Sequence, residues 1–270
     1  MSTQNAPDRY LEHDGARLRW RLQGEGPAIA LLHGWALDLE YWNPAVERLA
    51  EHFTLLRFDR RGFGLSTGQP DAYRDVDDLL AVLHAAAVES AVLLGMSQGV
   101  RLALRFAHTH AGMTRALVLD GAPALASASE LPLAEYRTRL QERGPAALQA
   151  HILLHPLMRL QTTDSAMYRL LTGIVARYQG LDLLRPGRSA EQPAGRPLNA
   201  GPVLSGLTVP ALVMTGSRDT AVRLAAGRAL ADAIPGARYL EFEGAGHLAL
   251  LDQPMRYTAA VADYCRTLPG

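Results

Sequence analysis

One short stretch limits what this chain can fold into. Residues 91–94, Ala-Val-Leu-Leu, form an apolar run that predicts a buried strand, and Val100 to Ala107 has helical spacing with Leu102, Ala103 and Phe106 on one side. Between them stands Gly95-Met96-Ser97-Gln98-Gly99. Flanking glycines let a strand turn into a helix without Cβ clashes, and this pattern lifts the serine onto the tip of a sharp turn. A serine that merely caps the helix fits the same five residues. Ser97 is therefore a nucleophile candidate only through the groups that the rest of the chain brings to it.

The rest of the chain alternates in the same manner. An antiparallel hairpin is predicted from Tyr10 to Glu12 and Leu18 to Leu22 around His13-Asp14-Gly15. Apolar runs at 28–32, 54–58, 114–119, 211–215 and 237–242 read as buried strands, with helical spacing at 41–51, 75–87, 222–233 and 255–266. From 124 to 202 the alternation stops: helices are expected near 131–143, 145–160 and 165–178, followed by a Pro/Gly-punctuated segment from Arg185 to Pro202. The expected architecture is α/β: a mostly parallel sheet with helices on both faces, formed by residues 1–123 and 203–270. The all-helical insertion at 124–202 follows the sixth strand.

A chain of 270 residues with 48% hydrophobic content buries a full core in one such domain. Its 27 basic and 27 acidic residues cancel, so charge gives no reason to expect nucleic acid or an anionic membrane as a partner. Every basic residue is arginine, which excludes a lysine nucleophile, a Schiff base or a Ser-Lys dyad. The lone Cys265 has no internal disulfide partner. No leader-like or membrane-length apolar run is present, so a cytoplasmic protein is expected. Nothing in the sequence fixes an oligomeric state.

Acyl transfer by serine needs a base, a carboxylate to orient that base, and N–H groups to hold the oxyanion. In an open parallel sheet such groups come from the carboxyl ends of strands, which face one crevice. Ser97, Asp219 and His247 each follow a predicted strand by a few residues, in the order Ser, Asp, His. Asp120, at the end of the sixth strand, is the competing acid. His151 and His155 lie four apart on a predicted helix, but no His-Glu-x-x-His pattern or third ligand accompanies them, so no metal is expected. The loop from Asp59 to Ser66 lacks the Gly-Lys-Ser/Thr ending of a phosphate cradle.

Over residues 9 to 267 the chain resembles the α/β-hydrolase superfamily, serine-nucleophile branch, and the helical insertion resembles that superfamily's cap. The matching motifs are His33-Gly34-Trp35, Asp59-Arg60-Arg61-Gly62-Phe63-Gly64-Leu65-Ser66, the Ser97 elbow, Gly216-Ser217-Arg218-Asp219 and Gly244-Ala245-Gly246-His247. The His-Gly-Trp form is similar to that of carboxylesterases, including pimeloyl-carrier methyl esterases, and of serine perhydrolases. The resemblance implies backbone oxyanion donors at Trp35 and Gln98, a structural His33, and hydrolysis of a small-molecule ester, thioester or lactone without a cofactor. Carbon–carbon hydrolysis, perhydrolysis, lyase or cyclase chemistry, and a non-catalytic receptor remain the alternatives on this fold. Val100 replaces a second glycine after the elbow, and Thr220-Ala221-Val222 replaces a proline after the acid. Trp35, Met158, Met167 and Tyr168 are the candidate pocket residues, and Asp59 and Arg60 are expected to pair with each other.

Overall fold

The computed structural model describes residues 6–71, 74–124, 130–184 and 204–269. Eight strands, β1 (Arg9–His13), β2 (Ala16–Gln23), β3 (Ala28–Leu32), β4 (Thr54–Phe58), β5 (Ala91–Met96), β6 (Thr114–Asp120), β7 (Ala211–Gly216) and β8 (Arg238–Phe242), form one sheet in the order β1-β2-β4-β3-β5-β6-β7-β8. The first two pair antiparallel through a turn in which Asp14 and Gly15 both have positive φ, the conformation a two-residue Asp-Gly hairpin loop requires. From β4 to β8 every pairing is parallel. The chain runs from β3 to β4 on one side and resumes at β5 on the other. A crevice therefore opens at the carboxyl ends of β3 and β5, and the loops after them carry Trp35 and Ser97.

Alternation along the strands sorts the core onto the two faces of the sheet. Ile29, Leu31, Val92, Leu94, Val118 and Met214 pack on one face against α1 (Asn43–Leu49) and the last helix, which contributes Tyr257 and Val261. Ala30, Leu32, Leu93, Leu117, Leu119 and Val213 face the other way, toward α2 (Arg74–Ala85) and α3 (Gln98–Thr109). Both faces are covered, which is why these strands read as unbroken apolar runs.

Between β6 and β7 the described residues 130–184 hold helices only: α4 (Leu133–Ile152), α5 (Ser165–Val175) and a 3-10 turn at Pro156–Met158. The break expected between two helices near residue 144 is present inside α4, where Gly144 has φ +76° ahead of Pro145. The helix expected to run to Leu160 stops at Ile152, and Pro156, with no N–H to donate, opens the 3-10 turn instead. The Pro/Gly-rich segment from 185 lies outside the described residues up to 203. After β7 come α6 (Ala221–Ala233), a one-turn α7 (Ala249–Asp252) that the sequence reading missed, and α8 (Pro254–Arg266). Among the described residues no helix is long and apolar enough to cross a membrane.

Candidate active site

Ser97 joins β5 to α3 with φ +53° and ψ −112°, a conformation an L-residue adopts only under constraint. The neighbouring glycines explain how the turn closes. A Cβ on Gly95 would lie 2.4 Å from the Gly99 carbonyl oxygen, and one on Gly99 would lie 2.1 Å from that of Leu32. The Ser97 N–H is held by the Asp120 carbonyl at 2.8 Å. Val100, which departs from the family pattern, is fully buried in the core beneath the elbow.

His247 and Asp219 meet from the loops after β8 and β7. Nδ1 of His247 and Oδ2 of Asp219 are 2.7 Å apart, and both side chains are almost fully buried. That contact puts the proton on Nδ1 and leaves Nε2 as the ring's acceptor. The imidazole lies against Gly121, where a Cβ would come within 2.9 Å of Cε1. Asp120, the competing acid, points elsewhere: it accepts a 3.1 Å bond from the Tyr257 hydroxyl, and burial pushes its carboxyl up to about 8.

Two main-chain N–H groups frame the crevice. Among the described residues nothing accepts from the N–H of Trp35 or of Gln98, although both residues line the pocket beside Ser97. Unpaired main-chain donors on residues that line a pocket together with a serine suit an oxyanion. The loops that present them are pinned by two residues. His33 is fully buried and kept neutral by burial and by Arg60; its Nδ1 donates to the Gly34 carbonyl at 2.8 Å and its Nε2 accepts from the Arg60 N–H at 3.0 Å. Arg60 in turn donates to the Gly34 carbonyl at 3.2 Å and to Oε1 of Gln98 at 3.3 Å. Arg60 takes its counterion from Asp75 at 3.2 Å, and Asp59 pairs with Arg19 at 3.4 Å, so the expected Asp59–Arg60 pair is corrected. The backbone between them separates the two side chains: Asp59 also accepts from the N–H groups of Leu39 and Leu65.

A pocket opens over Ser97. Of the residues expected there, Trp35 and Met158 line it, and Met167 and Tyr168 do not. The reason is the orientation of α5. Its buried stripe is Leu171, Ile174 and Val175; Met167 packs beside that stripe at its amino end, and Tyr168 is 45% exposed. His151 pairs with Glu135 at 2.8 Å, while His155 accepts from the Leu157 N–H at 3.2 Å.

Three charged pocket residues escaped the sequence reading. Arg223, one turn past Asp219 on α6, donates from Nη1 to the Ser97 hydroxyl oxygen at 3.3 Å and to the Gly121 carbonyl at 3.0 Å. Its Nε pairs with Glu130, whose other oxygen accepts from the Thr220 hydroxyl at 2.7 Å. Arg101, one turn into α3, is the third. Among the described residues no hydrogen bond joins the Ser97 hydroxyl to the imidazole.

The comparisons with known proteins bear on the family and the fold. The profile of the alpha/beta hydrolase fold matches residues 27–254. The chain is 31% identical over 263 residues to a pimeloyl-[acyl-carrier protein] methyl ester esterase of Xanthomonas campestris pv. campestris, covering 91% of this chain and 98% of that one. A protein of the same name from Yersinia enterocolitica is 25% identical over 267 residues, covering 93% and 98%. Among solved structures, the enol-lactonase from Burkholderia xenovorans LB400 superposes with a TM-score of 0.80 at 28% identity, covering 96% of this chain and all of that one. A serine on a glycine-bounded elbow, the strand order and these matches agree: the chain belongs to the α/β hydrolase fold family.

Proposed function

We propose that Ser97 is the nucleophile, His247 the base and Asp219 the orienting acid of the ester hydrolysis this enzyme carries out. The buried 2.7 Å contact between His247 Nδ1 and Asp219 Oδ2, beside the strained Ser97 turn, carries the reading. The neutral imidazole takes the serine proton at Nε2 as the oxygen adds to the ester carbonyl, and Asp219 stabilises the imidazolium that forms. The Trp35 and Gln98 N–H groups receive the oxyanion, His247 returns the proton to the departing alcohol, and water repeats the sequence to free the acid. Arg223 fits this order. Because it donates to the Ser97 oxygen, the hydroxyl proton stays available for the base, and its charge favours the oxygen as it becomes negative. The contact of the hydroxyl with Nε2 closes on substrate binding, as catalytic hydrogen bonds often do.

Residues 124–202 act as the cap in this reading: Glu130, Leu133 and Met158 from that segment line the pocket over Ser97. A cytoplasmic location belongs to the same reading, since the single cysteine has no internal partner. The substrate is a small carboxylic ester, thioester or lactone. Turnover of p-nitrophenyl butyrate tests the assignment. Ser97→Ala is expected to lower kcat by roughly 10⁴ to 10⁶-fold without unfolding the protein, and a serine-directed phosphonate to label Ser97 stoichiometrically. Near-normal turnover in the variant, or no turnover by the unmodified enzyme, sinks it.

A further inference from the structure

The pocket holds a cation that the chemistry above does not use. Arg101 stands one turn from Ser97 on α3 and lines the same pocket. Its Nη2 donates to the Ala124 carbonyl at 2.7 Å, but Nη1 is buried and, among the described residues, has no hydrogen-bond partner. Among the described residues, the charges that act on it or share its pocket are of the same sign or already engaged. Burial, with repulsion from Arg105 and Arg223 adding to it, pushes its guanidinium down to about 10, which leaves it charged at neutral pH. Glu130, the carboxylate of the pocket, gives one oxygen to Arg223 and the other to Thr220. Asp219 is engaged with His247. The residues that follow Ala124, Leu-Ala-Ser-Ala-Ser at 125–129, contain no acid.

A buried guanidinium donor without an acceptor is costly, and binding sites hold such groups where the ligand supplies the missing acceptor. Arginine with two adjacent N–H groups suits a carboxylate in particular. The rest of the lining, including Leu37, Met96, Leu131, Leu157 and Met158, is apolar and suits methylenes. We propose that Arg101 is a specificity-determining residue that binds a carboxylate on the substrate, and that the enzyme's preferred substrate is a monoester of a short dicarboxylic acid. Arg101 and Ser97 lie four residues apart in the chain and line one pocket, so a short run of methylenes joins the scissile carbonyl to the free carboxylate. The inference rests on the assignment of Ser97 as nucleophile.

The test compares monomethyl glutarate with methyl pentanoate, and monomethyl adipate with methyl hexanoate, each pair differing only by carboxylate in place of methyl. Hydrolysis is followed by pH-stat. The unmodified enzyme is expected to favour the anionic member of at least one pair by tenfold or more in kcat/KM, expressed through KM. Arg101→Gln should lower that ratio at least tenfold, and Arg101→Lys should restore part of it. Calorimetric titration of the Ser97→Ala protein with monomethyl glutarate separates binding from turnover: binding in that protein, weakened by adding Arg101→Gln, supports the carboxylate site even if the nucleophile were another residue. A preference for the neutral ester in both pairs, a ratio unchanged in Arg101→Gln, or equal calorimetric affinity for monomethyl glutarate and methyl pentanoate overturns it.

Discussion

Asp182 accepts a 2.8 Å hydrogen bond from the indole N–H of Trp35, tying the helical insertion between β6 and β7 to the loop that carries the proposed oxyanion donor. The other carboxylate oxygen accepts from the Tyr178 hydroxyl at 2.5 Å. Tyr178 and Tyr136 complete the clamp, the first edge-on to the indole with centroids 5.1 Å apart, the second stacked on it at 5.6 Å. The pocket wall and the N–H donor of Trp35 are therefore positioned by one cluster, 147 residues distant in sequence at its acid.

That coupling predicts a catalytic effect from a residue outside the triad. Asp182→Leu leaves two buried donors without an acceptor, at a cost of about 1–3 kcal/mol each, and frees the indole to turn. Losing one oxyanion donor outright costs about 10²–10³-fold in kcat, so displacing the Trp35 N–H is expected to cost roughly tenfold. Asp182→Asn, which keeps a carbonyl acceptor, should lie between the unmodified enzyme and Asp182→Leu. Steady-state hydrolysis of p-nitrophenyl butyrate beside urea unfolding measures both effects, and an unchanged kcat in Asp182→Leu argues against the coupling.

The three residues proposed as the triad stand out in the sequence because each is announced locally. Ser97, Asp219 and His247 stand just past apolar runs, next to glycines that the backbone needs. The sheet followed from the same runs. Arg101, Arg223, Glu130 and Asp182 carry no such signal. A charged residue on an amphipathic helix looks solvated unless its partner is known, and the partner of Arg223 lies 93 residues away. Met167 and Tyr168 failed for the complementary reason: on a helix apolar around much of its surface, spacing does not say which side a neighbouring loop will cover. Arg223 had one usable clue, its place one turn beyond a strand-end acid, where side chains return to the crevice.

Arg60 joins the loops that carry Trp35 and Gln98, the proposed oxyanion donors, and is paired with a buried acid, so its removal should be felt in stability as well as in rate. Asp75 is 5% exposed and would lose its ion-pair partner in Arg60→Leu, keeping only the weaker attraction of Arg105. Breaking such a pair from one side typically costs about 3–5 kcal/mol. The double variant Arg60→Leu/Asp75→Leu is expected to recover a large part of that loss in urea unfolding, while kcat stays low because Gln98 and Gly34 have lost their shared donor. Equal stability of the single and double variants would show that the buried charge is not the cause.

The choice between the two acids is settled by comparing the same substitution at each. Asp219→Asn favours the wrong imidazole tautomer and is expected to lower kcat by about 10⁴. Asp120→Asn leaves the His247–Asp219 contact in place and should change kcat far less. The reverse ranking moves the acid to β6.

Asp120→Asn makes a second and independent prediction, through pH. Burial, with the charge of Asp219 adding to it, raises the Asp120 carboxyl to about 8, whereas in the unfolded chain it titrates in the ordinary carboxylate range near 4. Between those values the folded protein holds a proton that the unfolded chain has released. Its contribution to stability is therefore fully present below about pH 4, shrinks as pH rises, and is lost above about pH 8. Asparagine is neutral throughout, and its carbonyl still accepts from the Tyr257 hydroxyl, so the variant lacks this slope. Any pH-independent penalty from its amide, which replaces the oxygen Oδ1 that has no hydrogen-bond partner among the described residues, shifts the whole curve without tilting it. The melting temperature of Asp120→Asn minus that of the unmodified protein should rise from about pH 5 to about pH 8 and then level off. A difference that is flat across this range, or that falls, would mean that Asp120 is already ionised in the folded protein at low pH.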